Sequence, residues 1–242
     1  MQLHRFEEPE MKWRLYAESL EHVGKGNFYI SVTTFLEHIT HQRLKNYFKN
    51  NSKAKIESHL KVTGDFGSAM HAAIDSDLQG NAPAIDPAMQ LNWDKYVVFK
   101  KDHRLSGKSE IQVYSNLLGF AGTADYVGDF FNPKQPEKGT IQSVGDWKTG
   151  RYSIKTGWQL AAYKHALEET QGYKDLGIFG ASLPRDGKDA TAFQYQHLAA
   201  CWTAFVASWA TFKMLYYNHL AKLKWAWLDV DPIRVVLPDT QA

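Results

Sequence analysis

The stretch Gly145-Asp146-Trp147-Lys148-Thr149 closes a predicted β-strand and carries an acid and an ammonium two residues apart. Upstream, Gly122-Thr123-Ala124-Asp125 lies in a glycine-rich apolar run that is also typical of β-structure. Downstream, Gln159 and Tyr163 lie about one turn apart in a segment with helical spacing. The order strand, strand, helix predicts an α/β fold in which the three motifs come together.

The rest of the chain extends this order. The pattern predicts helices at about 42–59, 68–78, 86–101, 155–171 and 199–223, and strands at about 111–113, 117–131, 140–148, 176–183, 190–197 and 233–237. Gly64-Asp65-Phe66-Gly67 is expected to break the chain, and Asp86-Pro87 to begin a helix. We expect an α/β fold with a mixed central β-sheet flanked by helices and an N-terminal helical region. It forms one domain, 1–242, with a mainly helical part at about 1–105, an α/β core at about 106–200, and a C-terminal helix and tail at about 200–242.

Composition narrows the class of protein. The 242 residues are 44% hydrophobic and 22% charged, which is ordinary for a globular domain. The net charge of +2 means that any surface for nucleic acid is a local patch. A single cysteine, Cys201, excludes an internal disulfide and a cysteine-held iron–sulfur cluster. The chain shows no secretory signal and no uncharged run near the roughly 20 residues of a membrane span, so we expect a cytoplasmic protein with no membrane partner.

The side chains of the central motif suit phosphodiester hydrolysis. Residues i and i+2 of a strand share a face, so Asp146 and Lys148 point the same way and Trp147 points into apolar packing. Asp125 on a neighbouring strand supplies a second carboxylate. Carboxylates are the ligands that Mg²⁺ prefers, and an ammonium beside them neutralises charge in the transition state. Each motif alone is typical of a solvated strand face or a turn, but their joint order favours a metal-dependent nuclease.

At this point the chain resembles the PD-(D/E)XK nucleases, in particular the RecB-type exonuclease branch. The resemblance rests on the Gly-x-x-Asp, Asp-x-Lys and Gln-x-x-x-Tyr motifs quoted above. It is extended by Gly67-Ser68-Ala69-Met70-His71, which matches a helix with a histidine after small residues, and by Glu110 before the first catalytic strand. The resemblance covers about residues 31–163 and implies a restriction-endonuclease-like core.

The resemblance implies a role for each matching residue. His71, Asp125, Asp146 and the Trp147 carbonyl would hold Mg²⁺ or Mn²⁺, and Lys148 would be the catalytic lysine. Glu110 would bind a second metal or orient a water. The expected substrate-binding or supporting residues are Gln159, Tyr163, Thr149, Arg151 and Lys155. The iron–sulfur subgroup of this family carries four cysteines, so no iron–sulfur cluster is expected here.

The expected function is therefore that of a DNA exonuclease, hydrolysing phosphodiester bonds in recombination, repair or phage DNA processing. DNA is the expected partner, together with a recombination or single-strand-binding protein, in the cytoplasm of a bacterium or a phage-infected host cell. Two alternatives stay open. One is a non-catalytic DNA-end-binding recombination accessory protein on the same fold. The other is a structural or assembly protein whose acids are only surface charge.

Overall fold

The computed structural model describes residues 1–38, 52–150, 152–185, 188–194 and 197–231, and shows a mixed α/β fold. The strands are β1 His4–Glu7, β2 Arg14–Ala17, β3 Tyr29–Ser31, β4 Ser106–Lys108, β5 Ile111–Ser115, β6 Phe120–Ala124, β7 Tyr126–Phe131, β8 Thr140–Lys148, β9 Gly177–Ser182 and β10 Thr191–Gln194. The helices are α1 Leu20–Gly24, α2 Val32–His38, α3 Lys53–Leu78, α4 Gln90–Asp102, α5 Ile154–Thr170, α6 Leu198–Leu215 and α7 Tyr217–Lys222. Two short 3₁₀ helices, Pro87–Met89 and Pro136–Lys138, complete the described elements.

The strands form two five-stranded sheets flanked by helices, where the sequence predicted one central sheet. The first sheet has the order β1-β2-β3-β6-β5 and the second the order β10-β9-β8-β7-β4. Each sheet is mixed, because β3 pairs parallel to β6 and β8 parallel to β9 while the other pairs are antiparallel. The predicted mixed α/β character is confirmed, and the single sheet is wrong. The chain switches sheets between β4 and β5 and again between β6 and β7, where only Asp125 separates the two strands.

The N-terminal part is helical over much of its length, but it also contains β1, β2 and β3, which the sequence pattern did not predict. These strands are only three or four residues long, too short for alternation to be recognised. They are held by pairing with distant residues, as when Ile30 of β3 lies opposite Phe120 of β6. The first sheet is therefore specified by tertiary contacts more than by local pattern.

Helix α3 is continuous from Lys53 to Leu78, so the predicted break at Gly64–Gly67 is wrong. A glycine inside a helix costs about 1 kcal/mol relative to alanine, which a packed helix tolerates. At Gly67 an added Cβ would lie 3.8 Å from Thr149 Oγ1, an ordinary van der Waals contact, so α3 passes close to the end of β8 at this point. The helix predicted at about 42–59 lies partly outside the described residues. Asp86 caps the 3₁₀ helix Pro87–Met89 that leads into α4, since its carboxylate accepts a hydrogen bond from the Ala88 N–H.

The central part of the chain follows the prediction closely. Strand β8 has the predicted bounds, and α5 and β9 each lie within a residue of theirs. Trp147 is buried with Met70, Tyr96 and Phe179 in a cluster beneath α3 and α4, on the face opposite Asp146. The main core lies on the other side, where α5 and α6 cover the sheets. The tail strand predicted at 233–237 lies outside the described residues.

Helix α6 is the one described helix that is long and apolar enough to cross a membrane by length and composition. Its 18 residues have a mean hydropathy of 1.3, and 28% of them are buried inside the protein. Phe205, Trp209 and Phe212 form its buried face within the main core. The Lys213 ammonium on the same helix donates to the Trp227 carbonyl at 2.7 Å. We therefore assign α6 to the core of a globular α/β protein, which is compatible with a soluble protein.

Candidate active site

The candidate site lies where β7, β8 and α3 meet. Tyr126 of β7 pairs with Gly145 of β8, so Asp125 lies opposite Asp146. The Asp125 carboxylate accepts the Trp147 N–H at 3.0 Å, which ties the two strands together at this end. His71 reaches the same place from α3. The order of elements thus brings together side chains that are far apart in the sequence.

Three potential ligands converge beside the strand ends. One ligand atom from each of His71, Glu110 and Asp125 lies within 4.8 Å of the other two. The His71 Nδ1 lies 3.5 Å from Asp125 Oδ2, and its Nε2 lies 3.0 Å from the Trp147 carbonyl oxygen. Neighbouring ligands of an octahedral Mg²⁺ with bonds of about 2.1 Å are about 3 Å apart. A single cation binds only one nitrogen of an imidazole. Nδ1 beside the Asp125 carboxylate, or Nε2 beside the Trp147 carbonyl, therefore has about the spacing of two neighbouring ligands of a cation.

Asp146 and Lys148 form an ion pair next to this group, in which the acid is buried and the lysine is partly exposed. The Lys148 ammonium lies 2.7 Å from Oδ1 and 2.6 Å from Oδ2 of Asp146, as expected for residues on one strand face. Asp146 is only 2% exposed, and its Oδ2 has no partner in hydrogen-bonding geometry. Burial alone would lower the pKa of Lys148, but the attraction of Asp146 and Asp125 outweighs it and raises the pKa. The lysine is therefore a charged ammonium held at the site.

Two acids of the site, Asp125 and Glu110, are destabilised in their charged forms. Burial, followed by repulsion from Asp146, raises the pKa of Asp125 to about 6, although His71 and Lys148 act in the opposite direction. The pKa of Glu110 is also raised, mainly by burial and then by the charge of Asp125. Negative charge in excess of the available positive charge is concentrated in a poorly solvated place. A divalent cation relieves such a concentration.

Glu110 is held by the turn between β4 and β5. Its backbone has a φ of 52°, in the left-handed region that non-glycine residues seldom occupy. The preceding Ser109 hydroxyl donates to the Asp75 carboxylate of α3, which anchors the turn against the helix. Glu110 and Asp75, together with Gly67, Ser68 and His71, line an open pocket of about 480 Å³. The unusual backbone conformation thus aims Glu110 at the pocket.

Gln159 and Tyr163 lie behind the site, away from the pocket opening. Tyr163 is 2% exposed, and its hydroxyl accepts a hydrogen bond from Gln159 Nε2 at 3.3 Å. Its ring packs against Gly122, where an added Cβ would lie 2.5 Å from ring atoms. The pair therefore supports the strand that leads to Asp125. Of the two roles that the resemblance implied, support of the site is the one that this placement favours.

Of the other predicted binding residues, one lies at the edge of the site, one contacts a different part of the protein, and one is outside the described residues. Thr149 directly follows Lys148 and lies near Gly67 of α3, at the edge of the site. Lys155 donates to the carbonyl of Leu36 at 2.6 Å, and burial lowers the pKa of its ammonium. That contact links α5 to α2. Arg151 lies outside the described residues.

The sequence motifs missed one residue at the site, Tyr152. Its hydroxyl donates to the backbone carbonyl of Asp146 at 2.9 Å, and its ring lies over Gly180 of β9. Tyr152 belongs to the irregular connection between β8 and α5, where no periodic pattern marks a position as facing the site. Proximity in sequence to Lys148 was the only signal that pointed to it.

The site combines imidazole, carboxylate, carbonyl and ammonium groups within a small region. Neither the protein-family models nor the curated proteins compared with this chain give a match. A function is therefore inferred from these groups and their geometry.

Proposed function

We propose that this chain is a Mg²⁺- or Mn²⁺-dependent deoxyribonuclease with a PD-(D/E)XK type of active site on a restriction-endonuclease-like core. The observation that carries the proposal is the convergence of His71, Asp125 and the Trp147 carbonyl beside the Asp146–Lys148 pair. Two poorly solvated carboxylates placed side by side repel each other, and a bound cation relieves that repulsion. The raised pKa of Asp125 is of the kind that functional sites show.

The residues present fit a divalent cation. Hard oxygen donors and one imidazole suit Mg²⁺ and Mn²⁺. The buried Asp146 Oδ2 lies 2.6 Å from the Lys148 ammonium but outside hydrogen-bonding geometry, so it retains capacity for a cation. His71, Asp125, Asp146 and the Trp147 carbonyl would hold the cation. Glu110 would hold a second one or orient a water, because its carboxylate lies within 4.8 Å of the ligand atoms of His71 and Asp125.

A bound cation would supply polarisation of a phosphate oxygen and acidification of a coordinated water. The protein's own groups do the rest. Lys148, held as an ammonium by Asp146, neutralises charge that develops on the phosphate. Glu110 has a raised pKa and faces the open pocket, which suits a carboxylate that accepts a proton from water. Tyr163 and Gln159 keep the strand of Asp125 in place.

The test is digestion of end-labelled linear DNA and of closed circular DNA with Mg²⁺ or Mn²⁺, with EDTA as the metal-free control. We expect linear DNA to be degraded from its ends and circles to survive. Asp125→Asn and Lys148→Ala should each reduce the rate at least 100-fold, since each removes a group that acts on the reacting phosphate. Asp129→Asn, on strand β7 four residues beyond Asp125 and away from the site, is the matched control and should retain the wild-type rate.

The outcomes separate the possible functions. Cutting of circles would overturn end dependence and leave the nuclease in place. DNA binding without cleavage under either cation would favour the accessory-protein alternative. Equal activity of the Asp125→Asn and Asp129→Asn variants would exclude this site as the active site. A role in recombination, repair or phage DNA processing follows only if free ends are the substrate.

A further inference from the structure

The face of the second sheet that carries Asp146 continues across two more strands. In the register of the sheet, Asp146 of β8 lies beside Gly180 of β9, and Gly180 lies beside Phe193 of β10. Paired residues on neighbouring strands point to the same face. Phe193 therefore projects from the same face as the Asp146 carboxylate, two strands away. With strands about 4.8 Å apart, the two positions are about 10 Å from each other.

Tyr152 lies between them. A Cβ at Gly180 would come within 2.2 Å of the Tyr152 ring, so the glycine leaves the space in which the ring lies. The Tyr152 hydroxyl donates to the Asp146 carbonyl at 2.9 Å, which fixes the ring beside the site. The rings of Tyr152 and Phe193 are in contact, with centroids 4.6 Å apart and planes inclined by 54°. The carboxylates are thus followed along the sheet by two adjoining aromatic rings.

The outward direction of Phe193 is a consequence of strand alternation. Its neighbour Ala192 packs with Trp147 and Ala181 against the buried cluster beneath α3 and α4. Phe193 points the other way and is 45% exposed. A polar side chain is the usual choice at such a position. An exposed phenylalanine that contacts a tyrosine fixed to the site backbone is therefore suited to contact something outside the protein.

We propose that Tyr152 and Phe193 form a stacking subsite for a nucleobase of single-stranded DNA. The inference rests on the proposed nuclease function, because it takes the bound phosphate to lie at Asp125, Asp146 and Lys148. The distance of about 10 Å corresponds to about three base steps of stacked DNA at about 3.4 Å each. The base that stacks is one to three nucleotides from the phosphate at the acids.

The subsite defines the form of the substrate. A base within a duplex is covered on both faces by its neighbours, whereas an unpaired base offers a face to an aromatic ring. Stacking is tolerant of sequence because every base has such a face. The enzyme therefore prefers a single strand or a frayed end to a blunt duplex, and it discriminates little between bases.

The test measures equilibrium binding of a labelled single-stranded oligonucleotide by fluorescence anisotropy in EDTA, where a metal-dependent reaction does not proceed. Phe193→Ala should weaken binding about 5- to 150-fold, the range for loss of one base–aromatic stack. Phe193→Trp should retain binding, and Phe193→Leu, which keeps an apolar side chain, should lose it. Leu117→Ala, another exposed apolar position on the β5–β6 turn, should bind as the wild type does.

Oligonucleotides with one abasic position near the end complete the test. An abasic position should weaken binding by the wild type to a similar extent, and should have little further effect on the Phe193→Ala protein. The subsite would be overturned if the abasic position weakened binding equally in the wild type and in Phe193→Ala, or if Phe193→Ala bound the intact oligonucleotide as the wild type does. Cleavage assays with Mn²⁺ on the same proteins keep the two proposals apart. If the proteins cleave DNA but the abasic position weakens binding equally in the wild type and in Phe193→Ala, the nuclease is supported and the subsite is rejected. If the abasic position affects only the wild type and no protein cleaves DNA, the subsite is supported and the nuclease is rejected.

Discussion

Gly122 has no side chain, and the buried ring of Tyr163 therefore packs directly on the strand that leads to Asp125. An added Cβ would lie 2.5 Å from the Tyr163 ring, which is fully packed and has no free space to move into. We predict that Gly122→Ala lowers the free energy of unfolding by about 1–3 kcal/mol, the usual cost of overpacking. It should also reduce nuclease activity, because Asp125 is three residues further along. Urea unfolding and a cleavage assay measure the two effects.

Gly64 provides the matched control. It lies inside α3, where an added Cβ would have nothing within 4 Å. Gly64→Ala should raise the free energy of unfolding by about 0.5–1 kcal/mol, because alanine is the better helix former. If both substitutions had the same effect, the close contact between Gly122 and Tyr163 would not be what requires a glycine there.

Asp125 should make the metal-free protein less stable at neutral pH. Its pKa is about 6 in the folded protein and 3.8 in the unfolded reference, so the folded state binds the proton more tightly. Stability from this group is therefore greatest at low pH and is lost as the pH rises from about 4 through about 6. We predict that in EDTA at pH 7.5 Asp125→Asn is more stable than the wild type by about 1–3 kcal/mol.

Urea unfolding at pH 4.5 and pH 7.5 checks this prediction. The difference between the two proteins should shrink towards the lower pH, where the wild-type carboxyl is protonated in the folded state and begins to be protonated in the unfolded state. A difference that stays constant with pH would show that repulsion among the acids is not its cause. A variant that gains stability while losing activity is typical of a residue retained for function.

The residues of the motifs were predictable because strand geometry is local. Asp146 and Lys148 share a face by alternation alone, and Trp147 is buried for the same reason. The positions of Tyr152 and Glu110 were harder to predict, since each residue lies in an irregular connection between elements. The φ of 52° at Glu110 depends on the anchoring of the turn to α3, which no pattern along the sequence reports.

Among the elements, α5 holds the β5–β6 hairpin through one side chain. The Glu169 carboxylate accepts hydrogen bonds from the Ser115 hydroxyl and from the N–H groups of Asn116 and Leu117, at 2.7, 2.7 and 3.1 Å. Removal of the acceptor leaves these turn donors without a protein partner. We predict that Glu169→Ala lowers the free energy of unfolding by about 1–3 kcal/mol in urea. Glu137→Ala, at an exposed position before β8, is the control and should change it by less than about 0.5 kcal/mol.

Elements with strong local signals were predicted and those held by distant partners were not. Strand β8 and helix α5 are long, with nine and seventeen residues, and turn residues bound them on both sides. Strands β1 to β3 have three or four residues each and depend on pairing within the first sheet. The division of the strands into two sheets depends on where the chain crosses, and a single residue, Asp125, makes one of those crossings.

At the scale of the whole molecule, the candidate site lies where the chain passes between the two sheets. Glu110 lies between β4 of the second sheet and β5 of the first, and Asp125 lies between β6 of the first and β7 of the second. His71 adds α3 to the same point. A cation held here would connect both sheets and a helix, so its binding energy would oppose unfolding of the entire domain.

Cation binding should therefore stabilise the whole protein. At a free Mn²⁺ concentration 100 times the dissociation constant, linkage gives about 2.7 kcal/mol, or roughly 5–10 °C in the unfolding midpoint of a domain of this size. A thermal unfolding scan with Mn²⁺ and then with excess EDTA should show the midpoint rise and return. His71→Ala and Asp125→Ala should each lose most of the rise, whereas Asp129→Asn should keep it. A rise of the same size in all four proteins would mean that Mn²⁺ binds elsewhere, and the junction of the sheets would then have no part in holding the cation.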